Sequence, residues 1–587
     1  MSNKLTYIIA GFLILIMFLT AFFSMKENSL TFDELAHIPA GYSYLTEQDY
    51  RINPEHPPLV KDIAALPLLF LDLNFPNENQ TWLQTDSAPA WWVQFDLGTK
   101  FIYESNNNPK EIIFWSRIPM IAILLLFGLF LFKWAKDLAG NKAALAVLTL
   151  FSFSPTFLSN GILVTNDVGA AFGAVLSTYF WLKFLYNPKC LNVILASLFF
   201  GLAMLCKFSM VLLIPFFGII TIIYSLLISQ PQKKIRDLSI YVAKAVLVGL
   251  IALIFVVLPV YQLHISNYPI EQQKRDTISD LTSDEFKPLN ALDIWMSDKP
   301  ILRPFSQYLR GILMASQRTI FGNTVYFLGE ISSSAWWYYF PVIFLLKIPL
   351  SFHLLALLTL VGLIFLVFKK RPSAKNWIKE NFTVFSFFVF IIIYWATAMT
   401  SNLNIGIRHL LPTFPFIFMI LVLGLKTIIM EASQKMRKLL STTSCLLFVW
   451  YIASSLSAFP YYIPYYNEIA GGTENGYKYA VDSNYDWGQD FYYLLSFVKE
   501  NNINKIYVDY FGGESPKYWL GEKYVQLNPK ELEEPPRGWV AVSLNQLQGG
   551  VAKPVTGFDQ ETGYYDWLKN YTPVARMGYS ILVYYID

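Results

Sequence analysis

The stretch SMVLLIPFFGIITIIYSLLIS at residues 209–229 contains no charged side chain. Wound as an α-helix, about 20 residues of this kind span the hydrocarbon core of a bilayer. Similar apolar stretches recur along the 587-residue chain, and together they predict about 11 transmembrane helices. The expected spans cover residues 5–25, 112–132, 143–160, 166–186, 191–206, 209–229, 238–260, 341–368, 382–399, 411–429 and 440–459.

The composition agrees with a membrane protein and excludes several other classes. Hydrophobic residues make up 54% of the chain and charged residues 15%, which leaves too little charge to cover the surface of a soluble protein of this length. A net charge of +3, without basic runs that alternate with aromatics, indicates no nucleic-acid partner. The three cysteines lie in or beside apolar stretches at unrelated spacings, which predicts buried thiols and no disulfide framework or zinc site.

The distribution of lysine and arginine predicts the topology. Lys4 precedes the first span and no small-residue cleavage site follows it, so we expect an uncleaved helix that starts in the cytoplasm. With alternating sides, every basic cluster then falls in a cytoplasmic loop, which predicts an odd number of spans, a multi-pass protein of the cell membrane and an external C-terminus. The clusters comprise Lys133, Lys136 and Lys142; Lys183 and Lys189; Lys233, Lys234 and Arg236; Lys369, Lys370 and Arg371; and Lys435, Arg437 and Lys438.

Three large segments are expected outside the cytoplasm, at residues 26–111, 261–340 and 460–587. In the last segment the apolar runs become short and turn residues separate them, which predicts helices at 488–501 and 563–571 and strands at 505–511, 538–544 and 575–585. The sequence therefore predicts an all-α polytopic membrane domain at 1–459 and a small exocytoplasmic α/β domain at 460–587. Segment 261–340 indicates only short helices and loops.

Acidic residues stand at the expected outer ends of two spans. Asp33 and Glu34 follow the first span, and Asp167 begins the fourth, next to Asn166. Such acids can be solvated loop residues, or an N-cap in the case of Asp167. Because all of them are expected at one membrane depth, a catalytic group is the alternative interpretation.

Cations are expected at the same depth. In the run HPPLVK, His56 and Lys61 flank a proline pair that can lead into a short interfacial helix, whose N–H groups would face an anion. Lys207 and Arg408 are the basic residues of the short outer turns, and His409 follows Arg408. Their long side chains could simply reach the lipid headgroups; the alternative is that they bind a phosphate.

Taken together, these motifs resemble the GT-C class of polyprenyl-phosphate-dependent glycosyltransferases, the superfamily of protein O-mannosyltransferases and lipid A aminoarabinose transferases. The resemblance covers roughly residues 1–430. It rests on Asp33-Glu34, the run from His56 to Lys61, Asn166-Asp167, the run GLAMLCK that ends at Lys207, and Arg408-His409-Leu410.

The resemblance implies a GT-C-like membrane fold and an inverting transfer of a sugar from a polyprenyl-phosphate donor to an acceptor hydroxyl at the outer membrane face. It implies that Asp33 is the base toward the acceptor and that Asp167 matches the acid of the second outer turn, with Glu34 a further catalytic candidate. His56, Lys61, Lys207, Arg408 and His409 are then the candidates for substrate binding. The acceptor is a glycan, a lipid or a protein, and membrane lipids are the surrounding partners.

Several alternatives remain open at this point. A transporter or flippase of lipid-linked sugars is the second hypothesis, although its usual broken helices at the bilayer midplane are not indicated; a lipid-linked oligosaccharide ligase is a third. Segment 261–340 leaves no room for a β-trefoil insert, which puts a protein acceptor in doubt. His56 and His409 match no metal motif, so no metal site is assigned and a divalent cation stays open. The run DSNYDWGQD at 482–490 fits either acceptor binding or domain packing.

Overall fold

A computed structural model describes residues 1–77, Trp82 and residues 90–587. Within this part of the chain, nine helices are long and apolar enough to cross a membrane, and each coincides with a span expected from the sequence. They extend over Asn3–Glu27, Pro109–Ala139, Asn166–Tyr186, Phe208–Ile228, Pro231–His264, Leu350–Lys370, Phe382–Thr400, Ile407–Glu431 and Gln434–Ser457.

Two of the expected spans are shorter helices. Asn141–Ser152 and Cys190–Met204 are apolar and lie where spans 143–160 and 191–206 were predicted. The first of them ends before Ser154, whose hydroxyl accepts a bond from Phe157 N and begins the next helix, Pro155–Asn160. The protein is thus a multi-pass membrane protein, and the count of 11 spans stays a prediction.

The predicted span 341–368 is interrupted near its start. Ile348 is extended and Pro349 cannot donate a backbone bond, so helix Tyr339–Lys347 ends there and helix Leu350–Lys370 begins anew. The carbonyls freed at this break accept bonds from the Asn467 side chain, at 2.6 Å for Leu345 O and 2.8 Å for Ile348 O. The segment after the last span therefore returns to the membrane helices.

Contacts between the basic loops show that they share one end of the helix bundle. Lys136 Nζ donates to Tyr7 OH at 2.7 Å, and Lys426 Nζ donates to Ala139 O at 3.1 Å. Lys370 forms an ion pair with Glu431 at 2.7 Å at the same end. The large segments collect at the opposite end, where the structure brings the acidic residues and the isolated cations together.

Short helices of the first two large segments cover that opposite end. A Cβ on Gly311 would lie 2.1 Å from Phe208 Cζ and 2.6 Å from Pro54 O, so only glycine lets this helix approach so closely. The helices extend over Glu34–Thr46, Leu59–Ala65, Ala90–Thr99, Ile270–Asp280, Lys287–Met296 and Arg303–Phe321.

The C-terminal segment forms a mixed five-stranded sheet in the order β4-β3-β5-β8-β7. β3 is parallel to both of its neighbours, whereas β8 is antiparallel to β5 and β7. Short helices lie beside the sheet, at Phe491–Glu500, Pro516–Leu520 and Leu544–Val551. The strands are β3 Ile506–Asp509, β4 Tyr524–Gln526, β5 Gly538–Ser543, β7 Ala575–Met577 and β8 Ile581–Ile586.

Most of these elements match the sequence prediction, with four differences. Strand β4 and the helices Pro516–Leu520 and Leu544–Val551 were not predicted, and residues 566–570 form a 3₁₀ turn in place of the expected helix 563–571. A second small sheet joins the hairpin of β1 (Val325–Phe327) and β2 (Glu330–Ser332) to β6 (Lys553–Pro554). Two outer segments therefore share one sheet.

Candidate active site

A cavity of about 280 Å³ lies where the outer segments meet the ends of the membrane helices. We refer to it as the central cavity. Most of the predicted site residues line this cavity, although they come from five separate parts of the chain. They are Asp33, His56, Asp167, Lys207, Arg408 and His409.

Arg408 lies between the two acids of the central cavity. Its Nη1 donates to Asp33 Oδ2 at 2.6 Å and lies 3.6 Å from Asp167 Oδ2. The guanidinium stacks over the indole of Trp487, with 4.1 Å from Cζ to the ring centroid. Its buried Nε has no hydrogen-bond partner among the residues that the structure describes, so part of the donor fork is unused there.

Lys207 completes the charge arrangement from the other side. Its Nζ donates to Asp167 Oδ1 at 2.6 Å. Asp167 therefore faces two cations, while Asp33 has one of them within hydrogen-bond distance. Asp33 is also the more accessible acid, since its side chain is 22% exposed against 3% for Asp167. An incoming hydroxyl can reach Asp33 more readily than Asp167.

The local backbone explains how Asp33 comes to its place. It stands at the start of helix Glu34–Thr46, where its carbonyl accepts the N–H groups of Ala36 and His37 at 3.1 and 3.0 Å. Burial by itself raises the pKa of Asp33, but the positive charge of Arg408 outweighs this effect and holds the pKa below its usual value. Asp33 is therefore a carboxylate near neutral pH in this state.

Glu34 is placed away from the central cavity. It is fully buried and both carboxylate oxygens are occupied by Arg117, with Nε at 2.8 Å from Oε1 and Nη2 at 2.5 Å from Oε2. The backbone N–H groups of Val164 and Thr31 add bonds of 3.0 Å each. Glu34 therefore holds Arg117 and the neighbouring backbone in place, and its position gives its predicted catalytic role no support.

Lys61 also lies outside the cavity, behind its wall. The fully buried Nζ donates to Tyr44 OH and Asn53 Oδ1 at 2.8 Å each and to His56 O at 2.9 Å. Burial holds the pKa of Lys61 well below its ordinary value. Lys61 thus holds the loop that carries His56 and is not among the described residues that line the central cavity, so its position gives the predicted substrate contact no support.

Two histidines of the cavity, His56 and His409, are half-buried. Burial, followed by nearby positive charges such as Lys61, holds the pKa of His56 well below 6.5. His409 Nε2 is buried without a hydrogen-bond partner and borders the cavity. Among the residues that the structure describes, no group of three or more His, Cys, Asp or Glu side chains is placed to hold a metal ion.

The sequence analysis missed several residues of the site. Arg318 and Glu55 line the cavity and form an ion pair at 3.1 Å, and Gln94 lines it as well. Arg318 belongs to helix Arg303–Phe321 in the segment that the sequence left unassigned. Its signal was a strongly amphipathic helix in an outer loop, which indicates an element packed on the rest of the protein.

The run at 482–490 ties the site to the C-terminal sheet. Ser483 Oγ donates to Ile405 O at 2.5 Å, and Asn484 Oδ1 accepts from Ile407 N at 3.0 Å, which fixes the turn before Arg408. Trp487 O accepts from Phe32 N at 3.1 Å, directly beside Asp33. Domain packing, one of the two interpretations of this run, is therefore observed.

An apolar groove adjoins the central cavity. It has a volume of about 470 Å³ and lies among the helices Cys190–Met204, Phe208–Ile228 and Pro231–His264. Its lining is almost entirely hydrophobic, and Val211 and Ile312 line both the groove and the cavity. A ligand with a charged head and a long apolar tail could therefore occupy both at once.

One segment of the membrane part matches a known family. Residues 111–261 match the family described as dolichyl-phosphate-mannose-protein mannosyltransferase, and this segment includes Asp167 and Lys207. The chain is a glycosyltransferase. The resemblance stated from the motifs is thereby confirmed, and an enzyme is favoured over the transporter alternative.

The chain also shows a weak similarity to two solved structures. ArnT from Cupriavidus metallidurans bound to undecaprenyl phosphate is 10% identical with a TM-score of 0.47, covering 100% of this chain and 98% of that one. The apo structure of ArnT from the same organism is 13% identical with a TM-score of 0.34, covering 99% and 98%. At these values neither structure supports a conclusion about this chain. A comparison with curated proteins finds no match.

Proposed function

We propose that the protein transfers a sugar from a polyprenyl-phosphate donor to an acceptor hydroxyl at the outer membrane face, with inversion at the anomeric carbon. The observation that carries the proposal is Arg408, which lies 2.6 Å from Asp33 and 3.6 Å from Asp167 in a cavity that continues into an apolar groove. The name of the matching family, which includes dolichyl phosphate, supports a lipid-phosphate donor.

The cations of the cavity suit a phosphate headgroup. Arg408 keeps an unused Nε donor, and Lys207 lies on the far side of Asp167 at 2.6 Å. Arginine binds phosphate through two parallel hydrogen bonds, and lysine adds a point charge. When the bond from the anomeric carbon to the phosphate oxygen breaks, negative charge grows on that oxygen, and these cations stabilise it.

Asp33 is the base of the proposed reaction. Its carboxylate forms an ion pair with Arg408 at 2.6 Å, and this positive charge holds the pKa of Asp33 low. A phosphate that engages Arg408 draws this partner away, so the pKa of Asp33 rises toward its usual value and the carboxylate becomes a better proton acceptor. The acceptor hydroxyl then attacks the anomeric carbon while its proton moves to Asp33, and direct attack inverts that carbon.

The apolar groove is the proposed site of the prenyl chain. It runs beside helix Phe208–Ile228, whose outward residues such as Ile214 and Ile222 are exposed in the protein and meet lipid in a membrane. A chain lying there would keep its methyl branches in an apolar environment while its phosphate stays in the central cavity.

The distribution of the basic loops supports a site at the outer membrane face. The basic loops collect at the end opposite to the site, and such loops are retained in the cytoplasm. The site and the C-terminal sheet would therefore lie outside, where a lipid-linked donor presents its sugar.

The test is a turnover assay with the full chain in lipid nanodiscs and a radiolabelled polyprenyl-phosphate sugar. Asp33→Asn should keep the fold and slow donor consumption by about 100- to 10,000-fold, the usual cost of a lost general base. The matched control is Glu271→Gln, which neutralises an exposed acid in another outer segment and should turn over normally.

Wild-type turnover in Asp33→Asn would remove Asp33 from the mechanism and leave Asp167 as the candidate base. Absence of turnover in the wild type with every polyprenyl-phosphate sugar, together with no binding of the free polyprenyl phosphate, would overturn the proposed donor class.

A further inference from the structure

A second, polar cavity lies between the C-terminal segment and the β1–β2 hairpin. It has a volume of about 280 Å³, and we refer to it as the polar cleft. Asn404 and Tyr339 are buried at its floor, whereas Tyr564 is half-buried nearer to the rim. The mechanism described above uses none of these residues.

The floor of the polar cleft contains an unsatisfied donor. Asn404 is fully buried, and its Oδ1 accepts from Trp336 N at 2.7 Å, but within the described part of the chain its Nδ2 has no hydrogen-bond partner. A buried amide N–H without a partner costs free energy that a bound acceptor group recovers. The orphaned Nδ2 therefore points to a ligand that supplies oxygen atoms.

The remaining lining is that of a carbohydrate site. Asn545 Oδ1 already accepts from Asp482 N at 3.1 Å, and Gln546 Nε2 donates to Asp509 Oδ1 at 3.0 Å. The other end of each amide, the NH₂ group of Asn545 and the oxygen of Gln546, supplies a donor and an acceptor of the kind that sugar hydroxyls require. Phe511 and Tyr564 provide aromatic surface for the C–H faces of a sugar ring.

The charges of the polar cleft do not favour an anion. Its charged lining residues are Asp482, Glu561 and Lys530. The only cation among them, Lys530, lies at the exposed rim with Nζ 5.0 Å from the centroid of the Tyr564 ring. With two acids and one cation, the cleft suits an uncharged ligand better than a phosphate or a sulfate.

The polar cleft directly neighbours the central cavity. Ile405 lines both. Phe32 of the central cavity stacks on Phe511 of the cleft, with ring centroids 5.0 Å apart and planes inclined by 12°. Because Phe32 directly precedes Asp33, this aromatic pair links the polar cleft to the segment that carries the proposed base.

We infer that the polar cleft binds the acceptor and that the acceptor is a neutral oligosaccharide. The inference rests on the proposed function, since it assigns the second substrate of that same transfer. The sugar rings occupy the cleft, Asn404 Nδ2 donates to one of their oxygens, and the terminal hydroxyl extends past Phe32 toward Asp33.

A peptide acceptor fits this surface less well. An extended peptide commonly binds by adding a strand to a free sheet edge. Here β2 already pairs with β6 on one side of the hairpin, and Phe327 of β1 bridges to Ala480 on the other. Both edges of the hairpin beside the cleft are therefore already paired. A ligand in the cleft would be recognised mainly by side-chain amides.

The experiment uses the full chain in nanodiscs and fluorescent neutral oligosaccharides of gluco, galacto and manno configuration, with binding measured by anisotropy. At least one of them should bind, and Asn404→Ala and Tyr564→Ala should each weaken it by about tenfold, the effect of one lost buried contact. The control variants Gln526→Ala and Tyr585→Ala remove an exposed amide and an exposed tyrosine of the five-stranded sheet, and both should bind the oligosaccharide normally.

Several results would overturn the inference. These are no binding of any neutral oligosaccharide, equal binding by the wild type and both cleft variants, or preferential binding of a labelled serine/threonine peptide or a phosphorylated oligosaccharide. If Asn404→Ala fails to fold, the half-buried Tyr564→Ala decides the matter alone.

A second arm separates this inference from the proposed donor. Binding of a polyprenyl phosphate, measured in the same nanodiscs, should be equal in the wild type and the cleft variants. Oligosaccharide binding without polyprenyl-phosphate binding would overturn the donor proposal and keep the saccharide site. The reverse result would overturn the cleft and keep the donor.

Discussion

Arg408 organises the charges of the central cavity. It contacts Asp33, lies near Asp167 and stacks on Trp487, while one of its donors stays unused. The sequence left two roles open for Arg408, phosphate binding and simple pairing with an acid. This geometry is consistent with both, because a bound phosphate would replace Asp33 as the partner of Arg408. The side chain must therefore be tested for affinity and for stability together.

We expect Arg408→Ala to weaken polyprenyl-phosphate binding by about 30-fold or more, since the loss of one partner of a buried charge pair costs about 2–5 kcal/mol. Arg408→Lys should restore part of the affinity, because it keeps the charge but loses the planar fork and the stacking on Trp487. Isothermal titration with the full chain measures the affinity, and a thermal melt measures the stability.

The control for this pair is Arg437→Ala, which removes an exposed arginine at the opposite end of the bundle. Lost thermal stability with unchanged donor affinity would show that Arg408 serves the fold alone, and the phosphate site would then move toward Lys207 and Arg318.

Glu34 belongs to the same motif as Asp33 but does not line the central cavity. We expect Glu34→Gln to destabilise the protein by about 3–5 kcal/mol, because Arg117 would keep a buried charge without its partner. Donor affinity of the folded fraction should stay near that of the wild type. Chemical denaturation and titration of the same preparation measure the two quantities.

An exposed carboxylate variant, Glu271→Gln, gives the baseline for Glu34→Gln. If Glu34→Gln were as stable as the wild type but failed to turn over donor, Glu34 would have to take part in the chemistry, as its place in the motif first indicated.

At the scale of elements, the site depends on close packing between neighbouring helices. Helix Asn166–Tyr186 carries Asp167 at its start and packs along helix Cys190–Met204, which ends just before Lys207. A Cβ on Gly173 would lie 3.0 Å from Ala203 Cα, so the close spacing of the two helices leaves little room for a larger side chain there. The distance between Asp167 and Lys207 is thus set by a contact inside the membrane part.

We expect Gly173→Leu to lower stability by about 1–3 kcal/mol through overpacking and to reduce turnover by moving Asp167 away from Lys207. Gly11→Leu is the matched control, because nothing lies within 4 Å of a Cβ at Gly11 and leucine is the better helix former. Thermal melts of both variants and of the wild type measure the effect. Equal melting temperatures for the two leucine variants would contradict the packing argument.

At the scale of the whole molecule, two ends of different character face each other across the helices. One end collects the basic loops, and the other collects the cavity, the cleft and the C-terminal sheet. Charge assigns the basic end to the cytoplasm. The assignment matters because a lipid-linked donor and an extracytoplasmic acceptor must both reach the site.

We expect a membrane-impermeant maleimide to label Glu522→Cys in intact cells and to label Lys375→Cys only after the membrane is opened. Both positions are exposed, one in the C-terminal segment and one at the basic end. The background for both is Cys190→Ser with Cys445→Ser, because these two cysteines are exposed. Labelling of Lys375→Cys but not of Glu522→Cys in intact cells would place the site in the cytoplasm.

The local composition of the sequence was enough to predict the apolar helices and the level at which the site residues lie. A run such as 209–229 is apolar whatever surrounds it, and the ends of such runs place Asp33, Asp167, Lys207 and Arg408 at one level. The short strands of the C-terminal segment followed from the same kind of local pattern. Each of these properties depends on neighbours in the sequence alone.

Only the tertiary structure decided which side chains face the cavity. Successive residues of a helix point about 100° apart, so Asp33 meets Arg408 while Glu34, one residue later, meets Arg117. Lys61 points behind the wall for a similar reason, and Arg318 and the polar cleft come from segments without a recognisable motif. Partners such as Asp33 and Arg408 lie 375 positions apart in the chain, and their meeting depends on how whole helices pack, which no local pattern encodes.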